Sequence, residues 1–173
     1  MNISWYGQSC FRLEGKGTSV LLDPFSKEIG LKPPRVNDPI VLVTHEHFDH
    51  NNVGEPGPEQ FIVRGPGEYE KQGVYIEGIK SYHDNSEGKE RGLNTIYVIR
   101  FDELRLCHLG DLGQEKLNDK QVEEIGDVDI LMIPVGGSYT INGKEAVEVI
   151  SQIEPKIVIP MHYKTKDRKD EKE

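Results

Sequence analysis

The chain has little sulfur, little positive charge and no long apolar run. Two cysteines occur in 173 residues, Cys10 and Cys107, far apart and each inside an apolar, strand-like stretch. That scarcity excludes a disulfide-stapled scaffold and predicts two buried free thiols in a reducing compartment. Lysine and arginine number 21 against 30 aspartates and glutamates, for a net charge of -9. The basic footprint of a nucleic-acid binder is missing, as is a face suited to long polyanions, so no nucleic-acid partner is expected. No segment approaches the ~20 apolar residues that a membrane-spanning helix needs, so no membrane partner is expected either. The opening Met1-Asn2-Ile3-Ser4-Trp5 lacks the basic, apolar and small-residue parts of a signal peptide. With a mean hydropathy of -0.58, a soluble, cytoplasmic protein is the expectation.

The length suits one domain, assigned to residues 1–163. The nearly all-charged tail, 164–173, is expected to be disordered. Short strands separated by turns fill the first two thirds: Asn2–Tyr6, Ser9–Glu14, Thr18–Leu22, Ile40–Thr44, Gln60–Arg64, Gly73–Tyr82, Leu93–Phe101 and Leu104–Leu109. Gly15-Lys16-Gly17 makes a hairpin turn, and the three prolines between Ser26 and Pro39 mark a loop. Strand and helix alternate at the end. Helices are predicted at Gln114–Ile125 and Asn142–Ile153 from their amphipathic spacing, with strands at Asp129–Pro134 and Lys156–Pro160. That mixture predicts an α+β fold of two sheets packed on each other with helices outside.

The chemistry gathers in Thr44-His45-Glu46-His47-Phe48-Asp49-His50-Asn51, which follows the apolar β-branched run Ile40–Val43. In an extended chain His45 and His47 point to one side. A turn just after them brings Asp49 and His50 round to a second point nearby. The spacing suits two metals side by side. Imidazole and carboxylate donors without thiolate suit Zn²⁺, Mn²⁺ or Fe²⁺. Further donors are sought at strand ends, where ligands of layered α/β folds collect. His162 follows the last strand and Asp111 follows Leu104–Leu109 through Gly110. Either could instead be structural, Asp111 as a turn residue and His162 as a satisfied core histidine. His83 and His108 compete for the remaining place. The strand-end position favours His83, while His108 lies inside a strand, where a hydrogen-bonded core histidine is the ordinary case. Asp23 is a candidate to hold an imidazole by accepting its second N–H, or is simply an Asp-Pro turn. Asp84, Tyr139, Thr140 and Tyr163 adjoin these motifs and are candidate pocket residues.

Thr44 to His50 resembles the His-x-His-x-Asp-His motif of the metallo-β-lactamase superfamily. Other segments resemble its small metal-dependent hydrolases, the branch that includes relatives of L-ascorbate-6-phosphate lactonase: Trp5-Tyr6-Gly7-Gln8-Ser9-Cys10-Phe11, Leu22-Asp23-Pro24-Phe25, His108-Leu109-Gly110-Asp111, Pro134-Val135-Gly136-Gly137-Ser138-Tyr139-Thr140 and Ile159-Pro160-Met161-His162-Tyr163. Gln8 stands where relatives often carry a histidine. The resemblance implies an αββα sandwich with two divalent metals, zinc foremost, at one edge of the sheets. It assigns His45, His47 and His83 to one metal and Asp49, His50 and His162 to the other, with Asp111 bridging them.

The expected activity is hydrolysis of a small ester-like molecule: a lactone, thioester, amide or phosphodiester. A water bridging two cations ionises near pH ~7, and the resulting hydroxide attacks the electrophilic carbonyl or phosphorus, with Asp49 orienting it and carrying a proton to the leaving group. The alternative is a metal-binding regulatory or sensor protein without hydrolytic activity. Substrate identity, metal identity and oligomeric state are left open by the sequence.

Overall fold

The computed structural model describes residues 1–165; the disorder expected of the tail falls almost wholly outside them. Among the described residues, eleven strands form two sheets. The five-stranded sheet holds β1 (Asn2–Gly7), β2 (Cys10–Glu14), β3 (Ser19–Leu22), β4 (Ile40–Leu42) and β5 (Phe61–Val63), in that spatial order. The six-stranded sheet runs β11 (Ile157–Met161), β10 (Ile130–Pro134), β9 (Leu104–His108), β8 (Leu93–Phe101), β7 (Val74–Tyr82), β6 (Gly67–Lys71). Both sheets are mixed. Strands β1, β2 and β3 pair antiparallel and β3, β4 and β5 pair parallel. Likewise β6 to β9 pair antiparallel, and β9, β10 and β11 parallel.

Alternation along each strand divides the apolar side chains between two faces. Phe11, Leu13, Val20, Leu22, Ile40 and Leu42 point inward against Ile76, Tyr97, Ile99, Leu106 and Met132 of the other sheet, forming the shared core. The outer face of the six-stranded sheet carries Ile96, Val98, Cys107, Leu131 and Ile133. It is covered by α1 (Asp119–Ile125) and α2 (Gly143–Ile153) through Ile125, Ala146, Val149 and Ile153. The outer face of the five-stranded sheet presents Cys10, Leu21, Val41 and Val43, which are closed off by Phe25, Ile29 and Val53. A loop with a single 3-10 turn at Lys27–Ile29 covers that side. Strand β4 is buried on both faces, as its unbroken apolar run predicts.

Most strand ends shift by one or two residues from the sequence reading, and β6 and the two helices differ for identifiable reasons. Strand β6 falls in a stretch where Tyr69 is the single apolar side chain; it is held by a backbone ladder to β7. Helix α1 begins at Asp119 and not at Gln114, because Asn118 and Gln121 form a reciprocal capping box. Gln114 instead turns its amide onto Lys116 O and Gln121 Oε1. Helix α2 keeps the predicted end and starts one residue later, with Asn142 as its cap.

Strand direction is what positions the site. Strands β1, β3 and β4 run the same way in one sheet, and β7, β9 and β11 run the same way in the other. Their carboxyl ends therefore deliver Gln8, Asp23, residues 45–50, His83, Asp111 and His162 to one edge of the sandwich. Tyr97 Oη donates to Val43 O at 2.8 Å and Thr95 N to Thr44 O at 2.9 Å, which ties the sheets together beneath that edge. Gly110, with φ +55, brings β9's exit against Asn94 and Thr44, where a Cβ would collide.

Candidate metal centre

Seven side chains from four separated segments meet at this edge. The donor atoms of His45, His47 and His83 lie within 4.8 Å of one another; so do those of His45, His50 and Asp111, and those of Asp49, His50 and His162. Asp111 sits in the middle. Its Oδ2 is 3.0 Å from His162 Nε2, 3.2 Å from His50 Nε2, 3.5 Å from His83 Nε2 and 4.0 Å from His45 Nε2. The rings themselves are crowded: His45 lies 4.6 Å from His47, 4.2 Å from His50 and 4.7 Å from His83 between centroids.

His108 stays apart from this group. It is fully buried, its Nε2 donates to Ser9 O at 2.8 Å, and its Nδ1 accepts from Gly110 N at 3.1 Å. Both ring nitrogens are spent on backbone.

The imidazoles are oriented from behind. Asp23 is fully buried and accepts from Thr44 N at 2.8 Å, Thr44 Oγ1 at 2.8 Å and His50 Nδ1 at 3.1 Å. Thr44 has one hydroxyl proton, and it goes to Asp23. Its oxygen therefore accepts from His45 Nδ1, 2.9 Å away. One carboxylate thus fixes His50 directly and His45 through Thr44, turning the Nε2 of each toward Asp111. Ser9 Oγ donates to Asp111 Oδ1 at 2.9 Å, and Asn94 Oδ1 accepts from Asp111 N at 3.1 Å. Ser9, Thr44 and Asn94 are common polar residues that no local pattern singles out. A buried Asn94 at the head of the apolar run Thr95–Phe101 is the faint signal that was available.

Of the candidate pocket residues, Asp84, Tyr139 and Thr140 line a cavity of about 350 Å³ beside His83, together with Arg91. Asp84 spends its carboxylate on the backbone N–H groups of Ser86, Gly88, Glu90 and Arg91, at 2.8–3.1 Å, and so shapes the loop. Arg91 stacks on the Tyr139 ring at 5.0 Å. Tyr163 packs on Trp5 at 5.2 Å.

The electrostatics suit cations. Burial disfavours charge on Asp111, but His162 and His50 outweigh it and hold the carboxyl well below its usual range. Burial would discharge His50 too, yet Asp111, Asp23 and Asp49 raise it well above the ordinary histidine value. His45 goes the other way, pushed down to about 2 by burial and by His50, and burial lowers His83 as well. The buried His45 Nε2 and His83 Nδ1 have no hydrogen-bond partner. Orphaned buried nitrogens beside a carboxylate are what a metal-ligating set presents when its lone pairs are meant for a cation.

A model described as a β-lactamase superfamily domain matches residues 2–162. The chain belongs to the metallo-β-lactamase superfamily. It is 33% identical to a UPF0173 metal-dependent hydrolase of Thermoplasma volcanium, over 96% of this chain and 85% of that one. It is 31% identical to a UPF0173 protein of Pyrococcus abyssi, over 95% and 84%. Among solved structures, a candidate Zn-dependent hydrolase of the metallo-β-lactamase superfamily from Thermotoga maritima aligns with 41% identity and a TM-score of 0.77, covering 95% of this chain and 76% of that one. The superfamily fold accounts for the two packed mixed sheets. Among the described residues no helix is long and apolar enough to cross a membrane.

The opposite settings of His45 and His50 make a testable difference. His45 and His83 are uncharged at neutral pH and give up no proton to a metal, whereas His50 does. Cation uptake at Asp49–His50–His162 should release the His50 proton, whereas His45 and His83 have none to release. Calorimetry of the metal-free chain in buffers of differing ionisation enthalpy measures this, and equal release from both equivalents would contradict it.

Proposed function

We propose that this chain is a dinuclear metal-dependent hydrolase acting on a small ester-like substrate: a lactone, thioester, amide or phosphodiester. The observation that carries the reading is the convergence of five imidazoles and two carboxylates on one sheet edge, with Asp111 Oδ2 among four of the rings. His45, His47 and His83 would hold one cation and Asp49, His50 and His162 the other, with Asp111 shared. The donor set accepts Zn²⁺ readily and Mn²⁺ or Fe²⁺ as well. When bound, the cations supply Lewis acidity toward a substrate oxygen and a water acidic enough to ionise near neutral pH.

The chain's own residues do the rest. Asp23 and Thr44 hold His50 and His45 in one tautomer each. Ser9 holds Asp111. Asp49 is the partly exposed carboxylate of the set, so it stands between the buried donors and solvent, where it orients the nucleophile and passes a proton to the leaving group. The cavity beside His83 is near the lower end of the range for small-molecule sites, and the acidic surface supports a small substrate over a polyanion. The buried free thiols of Cys10 and Cys107 support a cytoplasmic setting.

The test is metal analysis of the purified protein with a hydrolysis screen over the four substrate classes. Cations near two per chain and turnover on one class support the proposal; full occupancy with no turnover on any class favours a sensor or regulatory protein. Asp49→Asn is expected to lower turnover by about 100-fold or more at matched metal content. Full activity with both cations retained would remove the proton-transfer role.

A further inference from the structure

Gln8 lies in the turn between β1 and β2 and is buried. Its backbone is left-handed, with φ 51, a region that residues other than glycine adopt uncommonly. Its carbonyl accepts from Trp5 Nε1 at 3.1 Å and from His162 N at 3.1 Å. Two bonds from different parts of the fold thus pin the backbone and aim the side chain. The carboxamide Nε2 is 2.7 Å from Asp49 Oδ2 and 2.7 Å from His162 Nε2. Asp49 and His162 are the two residues whose donor atoms converge with those of His50. The amide's other atom, Oε1, is buried and accepts no hydrogen bond, which costs stability.

The geometry assigns Gln8 as a further protein donor, through Oε1, to the cation held by Asp49, His50 and His162 with the shared Asp111. The inference rests on the metal-hydrolase reading above. Without a cation, the amide N–H groups satisfy Asp49 and lie against His162 Nε2. With a cation among those donors, an N–H aimed at it is repelled, and a half-turn of the terminal amide brings the unpartnered oxygen round in its place. The same side chain thereby serves both states. A carboxylate and an amide oxygen make this position harder than the three-imidazole position of His45, His47 and His83, so it should tolerate Mn²⁺ better, while the imidazoles favour Zn²⁺.

The test uses the full chain stripped of metal and titrated with Zn²⁺ and with Mn²⁺, read by calorimetry and by manganese electron paramagnetic resonance. The native chain should take up two equivalents. Gln8→Leu should weaken one of them by at least about tenfold and leave the other within about twofold. Gln8→Glu keeps an oxygen donor and should bind that equivalent at least as tightly as the native chain. Should Gln8→Leu fail to fold by circular dichroism, Gln8→Asn, too short to reach, should show the same selective loss. The assignment falls if the variants leave both equivalents unchanged, if both weaken equally, if Gln8→Glu weakens binding as Gln8→Leu does, or if the native chain holds a single cation. A native chain that binds no cation at all would instead overturn the hydrolase reading.

Discussion

Asp111→Asn is expected to empty the site and weaken the fold together. The side chain is nearly isosteric, so the change is almost purely one of charge. The carboxylate lies 3.0 Å from His162, 3.2 Å from His50 and 3.5 Å from His83, and it is almost fully buried. In the metal-free chain it is the main partner that keeps His50 charged in a buried place. Removing one member of a buried ion pair costs about 3–5 kcal/mol, because the other charge is left uncompensated; His50 would shed its proton to limit that loss. Cation affinity should fall by about 100-fold or more, at least the upper end of what residues behind a ligand contribute, because Asp111 is itself a shared donor. Denaturant melts of the metal-free chain and metal content after dialysis read the two effects separately. Unchanged midpoints and full occupancy would mean that Asp111 is not the hub of the site.

Asp23→Ala should rank next, although Asp23 faces away from any substrate. It accepts three hydrogen bonds, two from Thr44 and one from His50, with no exposure to solvent. Alanine leaves those donors buried and unsatisfied, at about 1–3 kcal/mol each where no water can enter. It also frees two imidazoles at once, because the Thr44 hydroxyl is the link between Asp23 and His45. Affinity for both cations should drop by about 10–100-fold. Thr44→Val, which cuts only the branch to His45, should spare the Asp49–His50–His162 equivalent. Equal losses at both equivalents in Thr44→Val would break the proposed relay.

The contrast between these residues and the ligand candidates explains how much could be read in advance. Histidine and aspartate at strand ends announce themselves, since few other roles explain three histidines directly after the run Ile40–Val43. Helix α2 was legible for a similar reason: its apolar spacing and its Asn142 cap are local. Strand β6 was not, because its ladder to β7 is made by backbone and leaves no apolar pattern. Helix α1 starts five residues later than its apolar spacing suggests, although the capping pair Asn118 and Gln121 is visible in the sequence. The supporting shell was least legible. Ser9 matters because of Asp111, and Asp23 because of Thr44 and His50; such partners are defined by the folded arrangement and not by residue type. Gln8 shows the same limit, being an ordinary amide until its neighbours are known.

The bond from His162 N to Gln8 O joins the first hairpin of the chain to the segment after its last strand. Contacts of such long sequence separation form only after the entropy of closing the intervening loops has been overcome. The centre is therefore expected to come together late in folding. Cations bound there are then expected to act as a brake on unraveling and to leave the speed of folding almost untouched.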